Sequence, residues 1–362
     1  FEDHEYAHLF TKSFDDVLND KEISVVAEVI GGVEPAYTFT KKALSSGKSV
    51  VTSNKELVAK HGAELIAVAQ ENNVHYMFEA SVGGAIPILR PLNQCLAANK
   101  IEEIHGIVNG TTNYILTQMF KNGKEFGEAL KRAQEKGYAE SNPSADVDGI
   151  DACRKIAIMM SIVTGKEFDC NLIETEGISK ISSEDVDYAE QLGCKIKLVA
   201  YGKNNGDKAF ARVSPLMLPV THPLGNIEYV YNGILVKGNM ADETMFYGKG
   251  AGKLPTASAV VADIIDICIN KDRNQEFVWK RTDDKSFIMT SDEISSRFFV
   301  RVSNCCEDDV KEVFKSVQLI SGKNSDETAF VTDEINEKEF KLKVSKLEEM
   351  GNKIISVIRK ID

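Results

Sequence analysis

The sequence predicts a mixed α/β chain: a partial doubly wound parallel sheet, then an α+β region, then a C-terminal βαββαβ module. Three observations lead there. Residues 23–78 alternate strand-like and helix-like segments, the rhythm of a parallel sheet with crossover helices. Residues 79–155 replace that rhythm with glycine-rich loops and a group of carboxylates around one lysine. Residues 297–358 return to short elements in the order strand, helix, strand, strand, helix, strand. A length of 362 residues fits two or three such units.

The first unit reads element by element. Residues 23–30 (ISVVAEVI) form a near-continuous apolar run, the pattern of a strand buried on both faces of a parallel sheet. The strand stops at Gly31-Gly32. Glu34-Pro35 then opens a helix that Gly47 ends. A short strand at Ser49–Thr52, a helix over 56–70 and a strand over 74–78 complete a βαβαβ segment. Doubly wound sheets bind ligands beyond the C-terminal ends of their strands. The residues placed there are Gly31-Gly32, Thr52 to Lys55, and Glu79 to Ser81. No G-x-G-x-x-G follows any strand, so either this is no dinucleotide site or the first βαβ unit is absent from the chain.

The middle carries the densest signal. Gly83-Gly84 and the run Gly110-Thr111-Thr112-Asn113 read as loops. In residues 133–155 (AQEKGYAESNPSADVDGIDACRK), Gly137 ends one helix and Asn142-Pro143 prevents its continuation. Asp146 or Asp148 then caps a helix that turns Ala152, Ile156, Met159, Met160 and Val163 inward, until Gly165 stops it. Asp151 and Lys155 are four residues apart and share a face. An isolated pair of that kind is a solvated surface pair. Here Glu140, Asp146, Asp148 and Asp151 crowd one lysine, which suits recognition of an ammonium-bearing substrate and proton transfer by Lys155.

Composition bounds the rest. With 43 Lys+Arg against 55 Asp+Glu, the net charge is −12, which argues against a nucleic-acid partner. No apolar run reaches the ~18 residues of a membrane span. The opening FEDHEYAHLF has no charged-then-apolar signal pattern. Seven cysteines without a Cys-x-x-Cys pair, and six unclustered histidines, argue against zinc or a disulfide scaffold and for a reducing cytoplasm. Vicinal Cys305-Cys306 reads as two ordinary loop thiols, and Cys95 as part of an ordinary helix with Leu92, Leu96 and Ala97.

The run GYAESNPSADVDGIDACRK (137–155) resembles the signature of the homoserine dehydrogenase family at nearly every fixed position. VVAEVIGG, VTSNKELVA, FEASVGGAIPI, GIVNGTTNYILT and YGKGAGKLPTASAVVADI resemble that family too, in its order, so the resemblance covers about residues 20–275. It implies a Rossmann-type nucleotide-binding domain over 1–82 and 246–282, and a substrate-binding, catalytic and dimerisation domain over 83–245. It implies NAD(P)-dependent interconversion of L-homoserine and L-aspartate 4-semialdehyde, with NAD against NADP left open. Lys155, Asp151 and Lys55 match the family's catalytic residues, and Glu140 and Asp146 its substrate contacts. Thr52, Ser53, Lys55 and Gly252 match cofactor contacts. Glu79, Val82, Gly84 and Ile86 match a sodium-binding loop, the last three through carbonyls. A homodimer or homotetramer is implied.

The family's N-terminal glycine-rich unit has no counterpart in the chain, and the expectation is correspondingly weak NAD(P)H binding by these 362 residues. The alternative reading is a regulatory paralogue that senses an amino acid without using a cofactor. Residues 297–362 resemble an ACT regulatory domain on the ferredoxin-like plan, with an amino-acid effector implied. Asp283 to Ser296 reads as a linker, and residues 83–234 and the C-terminal module are expected to carry separate cores.

Overall fold

The computed structural model describes residues 4–270, 272, 277–321 and 327–361. The remaining residues of the three domains drawn from the sequence lie outside that description. Val25–Glu28, Ser49–Thr52 and Tyr76–Met77 form a parallel three-stranded sheet in that order. Helices Ala36–Ser45 and Lys55–Glu71 make the crossovers. In the first of them Ala36, Thr40, Ala43 and Leu44 are buried at helical spacing. The first strand departs from expectation: it is an edge, with Ala27, Val29 and Ile30 exposed. A strand paired on one side only cannot be covered as a central one is. The later helix Lys253–Ile269 returns to this sheet, where its fully buried Asp263 accepts a hydrogen bond from the Glu79 amide at 2.9 Å.

A second sheet runs through the rest of the molecule. Its order is Val317–Ile320, Glu327–Thr332, Ser295–Ser303, Lys353–Lys360, Ala209–Pro219, Cys194–Asn204, Ile101–Ile107, Tyr231–Gly238 and Asp242–Lys249. The first four of these strands, with helices Glu307–Phe314 and Glu337–Glu349, are the expected βαββαβ module, all antiparallel. The module joins the rest by a short parallel contact, Arg359 opposite Leu216 and Lys360 opposite Met217. Helices Gly110–Asn122 and Ile150–Thr164 cover one face of the central strands.

The cores divide differently from the expectation. One buried cluster runs from Ala36 through the middle region to Phe299 and Ile358, so the first sheet and residues 83–234 share a core. The module keeps its own cluster of Phe298, Val310, Phe330, Phe340 and Leu347. The linker is packed rather than suspended: Phe287, Met289 and Ile294 are buried, and Ala209 exchanges backbone hydrogen bonds with Phe287 and Met289. Pro91–Cys95 is a π-helical turn instead of an ordinary helix, because the Leu96 amide reaches back five residues to the Pro91 carbonyl at 2.8 Å. All seven cysteines are free thiols, and burial first, then Asp309, pushes Cys305 up to about 11.

Candidate active site

Three loops meet beyond the ends of strands Ser49–Thr52 and Ile101–Ile107. In the first, Asn54 caps helix Lys55–Glu71: its Oδ1 accepts from the Leu57 amide at 3.0 Å, and its Nδ2 donates to the Gly32 carbonyl at 2.6 Å. Lys55 is therefore the first helical residue, its Cα fixed by the cap. In the second, Asn109 caps helix Gly110–Asn122 through the Thr112 amide at 2.8 Å. The stretch read as a loop from its Gly, Thr and Asn content is thus a helix start. In the third, Gly137 and Asn142-Pro143 break the chain as expected. The cap of Ile150–Thr164 is Gly149, however, at φ +84°, not an aspartate. Asp146 instead lies within a short helix, Ser144–Val147.

That rearrangement frees the carboxylates for one another's neighbours. Lys155 Nζ is 2.7 Å from Asp151 Oδ2 and donates to the Val108 carbonyl at 2.7 Å. Lys55 Nζ is 3.1 Å from Asp151 Oδ1. Asn109 Nδ2 donates to Asp151 Oδ2 at 2.9 Å and to Asp146 Oδ1 at 2.7 Å. The side chains of Asp151 and Lys155 are 8% and 10% exposed, and that of Lys55 is 38% exposed. The solvated i,i+4 pair is excluded. Burial alone would raise the Asp151 pKa, but the charges of Lys155 and then Lys55, with hydrogen bonds from Lys155 and Asn109, hold it down to about 2. Asp146 moves the other way: burial raises it, only partly opposed by the Asn109 amide, and the Asp151 charge adds to the rise.

These groups line a cavity of about 640 Å³. Ser53, Lys55, Asp146, Asp151, Lys155 and Gly252 are on its wall, as are Asn109, Tyr138 and Asn232, which the sequence reading did not single out. An Asn just before G-T-T is a helix-cap pattern and could have flagged Asn109; Tyr138 and Asn232 had no comparable signal. Of the expected substrate and cofactor contacts, two are not brought to the wall. Thr52 is fully buried and donates to Glu28 Oε2 at 2.6 Å, bracing two strands. Glu140 is exposed, two residues beyond Tyr138, whose carbonyl Thr111 Oγ1 holds at 2.6 Å.

The expected sodium loop and the expected cofactor contacts lie on neighbouring parts of the site. Both Glu79 carboxylate oxygens are engaged by backbone: Oε1 accepts from Ile88 and Leu89 at 2.6 and 2.8 Å, and Oε2 from Arg90 at 2.8 Å. Glu79 thus organises the 79–90 loop. Among the described residues no group of three or more His, Cys, Asp or Glu could hold a metal ion. Val82, Gly84 and Ile86 lie in that loop, with Gly84 against the Gly250 backbone. A nicotinamide cofactor fits the wall. Asn232 Oδ1 is a buried acceptor without a partner on the cavity wall, suited to an amide donor such as a carboxamide. Gly250 packs so closely on Asn232 that no side chain could stand there.

Comparison with known proteins agrees with this geometry. Residues 4–79 match the family model for the homoserine dehydrogenase NAD-binding domain, and residues 87–265 the model for homoserine dehydrogenase. The homoserine dehydrogenase of Synechocystis is 45% identical over 72% of this chain and 61% of its own length. That of Helicobacter pylori is 40% identical over 88% of this chain and 74% of its own. The chain therefore spans about three fifths of the first of these relatives. Among solved structures, a homoserine dehydrogenase from Thiobacillus denitrificans superposes with a TM-score of 0.90 at 35% identity, covering 97% of this chain and 85% of that one. A hyperthermophilic archaeal homoserine dehydrogenase in complex with NADPH superposes at 0.63 with 32% identity, over 73% and 77% of the two chains.

Proposed function

The chain belongs to the homoserine dehydrogenase family, and from that premise we propose that it interconverts L-homoserine and L-aspartate 4-semialdehyde at the Asp151–Lys155 cavity. The observation that carries the reading is the pair of ammonium groups seated on the two oxygens of one buried carboxylate. When bound, NAD(P)H would supply the hydride in the reductive direction and NAD(P)+ would accept it in the oxidative one. Its nicotinamide end would be held by Ser53, Lys55, Asn232 and Gly252.

The chain's own residues then handle the proton. Lys155 has three N–H donors. Asp151 and the Val108 carbonyl occupy two, which leaves one for the substrate oxygen. In the reductive direction this hydrogen passes to the alkoxide that forms as hydride reaches the aldehyde carbon. In the oxidative direction Lys155 must first be neutral, and takes the hydroxyl proton. Lys55 places a second positive charge beside the same oxygen, where it is worth most in a water-poor site. Asp146 faces the substrate ammonium, and Asn109 keeps its carboxylate apart from that of Asp151. Glu140, exposed on the adjoining turn, is kept in this reading as a second contact for the substrate ammonium.

Seven cysteines outside any disulfide support a cytoplasmic setting, and no helix among the described residues is long and apolar enough to cross a membrane. The edge strand Asp242–Lys249 exposes Met245 and Tyr247, which supports a homodimer or homotetramer. The βαββαβ module supports an ACT-type regulatory role. The decisive experiment follows oxidation of NADH and of NADPH by the purified protein with L-aspartate 4-semialdehyde. Turnover that Lys155→Ala lowers about 10²-fold, the scale of general acid–base catalysis, is the expected result. No turnover, or turnover indifferent to Lys155, overturns the reading and returns the regulatory paralogue.

A further inference from the structure

The two lysines of the cavity are held unequally. Lys155 is buried and donates both to Asp151 and to the Val108 carbonyl. Lys55 is partly exposed, opens helix Lys55–Glu71, and reaches Asp151 Oδ1 at 3.1 Å across the gap between that helix and Ile150–Thr164. The two helices belong to the regions 4–79 and 87–265 that match separate family models. Neither region alone therefore fixes how the two ammonium groups stand to one another.

A second ion pair crosses the same gap. Arg154 Nη2 donates to Glu56 Oε1 at 2.9 Å. Each partner is the chain neighbour of a lysine: Glu56 follows Lys55, and Arg154 precedes Lys155. Neither side chain is on the cavity wall. On Ile150–Thr164, Asp151 and Arg154 are three residues apart and share a face. On the first turn of Lys55–Glu71, successive side chains leave the axis about 100° apart. One bond alone lets that turn roll about its axis, and two bonds at different azimuths stop it. The bonds also run in opposite senses, cation to anion in one and anion to cation in the other. A slip that set Lys55 against Arg154, or Glu56 against Asp151, would bring like charges together. The Arg154 and Glu56 side chains are 27% and 37% exposed, so their pairing adds little to stability. What it supplies is register.

We propose that Arg154 and Glu56 are positioning residues for the reaction. Their bond holds the first turn of Lys55–Glu71 so that the Lys55 ammonium stays on Asp151, beside the substrate oxygen, while neither residue meets the substrate. The proposal rests on the roles of Lys55 and Lys155 given above.

Two measurements on the full chain test it, with Glu56→Ala and with Arg154→Met, which keeps an apolar stem. The first needs no turnover: brief acetylation with acetic anhydride, read lysine by lysine by mass spectrometry. An ammonium paired with a carboxylate stays protonated and unreactive. Lys55 should be acetylated about threefold or more faster in both variants than in wild type, with Lys155 unchanged. The second is the split between kcat and KM in homoserine oxidation. Each variant should lose about tenfold in kcat, the scale of a displaced catalytic group, with KM within about twofold of wild type. The double variant should lose no more than either single one, since the two residues act as a unit. In a Lys55→Ala background, Glu56→Ala should change kcat by less than about twofold, because the group it positions is gone; a merely structural role would lower kcat there too. Unaltered Lys55 acetylation, an undiminished kcat in either variant, or an equal loss with and without Lys55 overturns the proposal. The underlying reading fails separately. Wild-type turnover in Lys155→Ala removes that reading, whereas an inactive Lys155→Ala beside a fully active Glu56→Ala removes the positioning role alone.

Discussion

Asp151 can remain ionised in a buried position because three side chains answer its charge: Lys155, Lys55 and Asn109. Its folded pKa of about 2 is below the ~3.9 of an unfolded aspartate. A depressed carboxylate contributes stability that is present above the unfolded value and lost as the pH falls through the folded one. Urea midpoints for wild type and Asp151→Asn should therefore differ near pH 5 and converge toward pH 2. A gap that stays constant over that range would mean Asp151 is not charged in the native protein. Asn109 acts through its neighbours, separating two carboxylates with a single amide group. Asn109→Asp puts a third carboxylate there, so we expect kcat to fall about tenfold or more, with the pH profile displaced upward; a drop in kcat at an unchanged profile would leave Asn109 a purely structural cap. Glu140→Ala is expected to raise KM for homoserine while sparing kcat, and an unchanged KM removes Glu140 from the site. At this scale the sequence was most informative where spacing is chemical. Asp151 and Lys155 share a helix face by periodicity alone. Asn232, from a strand far along the chain, could be placed only by the fold.

Elements bring those residues together through close backbone approaches that only glycine permits. A Cβ on Gly84 would lie 2.5 Å from the Gly250 carbonyl oxygen, and one on Gly177 would lie 2.2 Å from that of Val147. Neither obstacle is a flexible side-chain tip. Gly177 matters beyond packing: the Ile178 amide donates to the Val147 carbonyl at 2.8 Å, which ties the 173–178 segment to the stretch carrying Asp146 and Asp151. Gly177→Ala should push that stretch outward and lower kcat/KM about tenfold or more, the scale of a misplaced catalytic group. Far-UV circular dichroism should stay native-like, and a kcat/KM within twofold of wild type would show that the contact is not transmitted. The βαβαβ order of the first sheet was legible because its segments are short, apolar and separated by Gly and Pro. The strand pair Cys194–Asn204 and Ala209–Pro219 was not assigned from the sequence, although it is the longest in the molecule. Both strands are buried along most of their length, so polar alternation is weak and little separates them from buried helix by pattern alone.

The C-terminal module has a core of its own on one face, while Phe299, Val331 and Ile358 of its strands belong to the main core. Only two residue pairs link strand Lys353–Lys360 to Ala209–Pro219, so side chains must carry the rest of the coupling. Glu337 is the centre of one such side-chain bridge. It is 1% exposed, accepts from Arg359 Nε and Nη2 at 3.0 and 2.9 Å, and also receives Arg212 Nη1 and Ser296 Oγ. Arg359 reaches on to Glu176 at 2.6 Å. Burial alone would raise the Glu337 pKa, yet Arg359 and then Arg212 lower it, so its contribution is present above the ordinary carboxylate range and fades in acid. Glu337→Ala leaves two guanidinium groups buried with their central partner gone, a change that costs about 3–5 kcal/mol in comparable buried pairs. The cost should fall on the join between cores. Trp279, the single tryptophan, is buried in the first core with Phe78 and Phe277, and reports on that core alone. In wild type, tryptophan fluorescence and far-UV circular dichroism should trace one coincident denaturant transition, as two cooperating cores require. In Glu337→Ala the circular dichroism should begin to fall at lower denaturant than the fluorescence, because the module, with its own Phe298–Phe340 core, unfolds first. Coincident curves in the variant would mean that the strand contact, the Arg301–Asp185 pair and the packing of Phe299 and Ile358 into the main core suffice to keep one cooperative unit, and that the Glu337 bridge contributes stability without coupling.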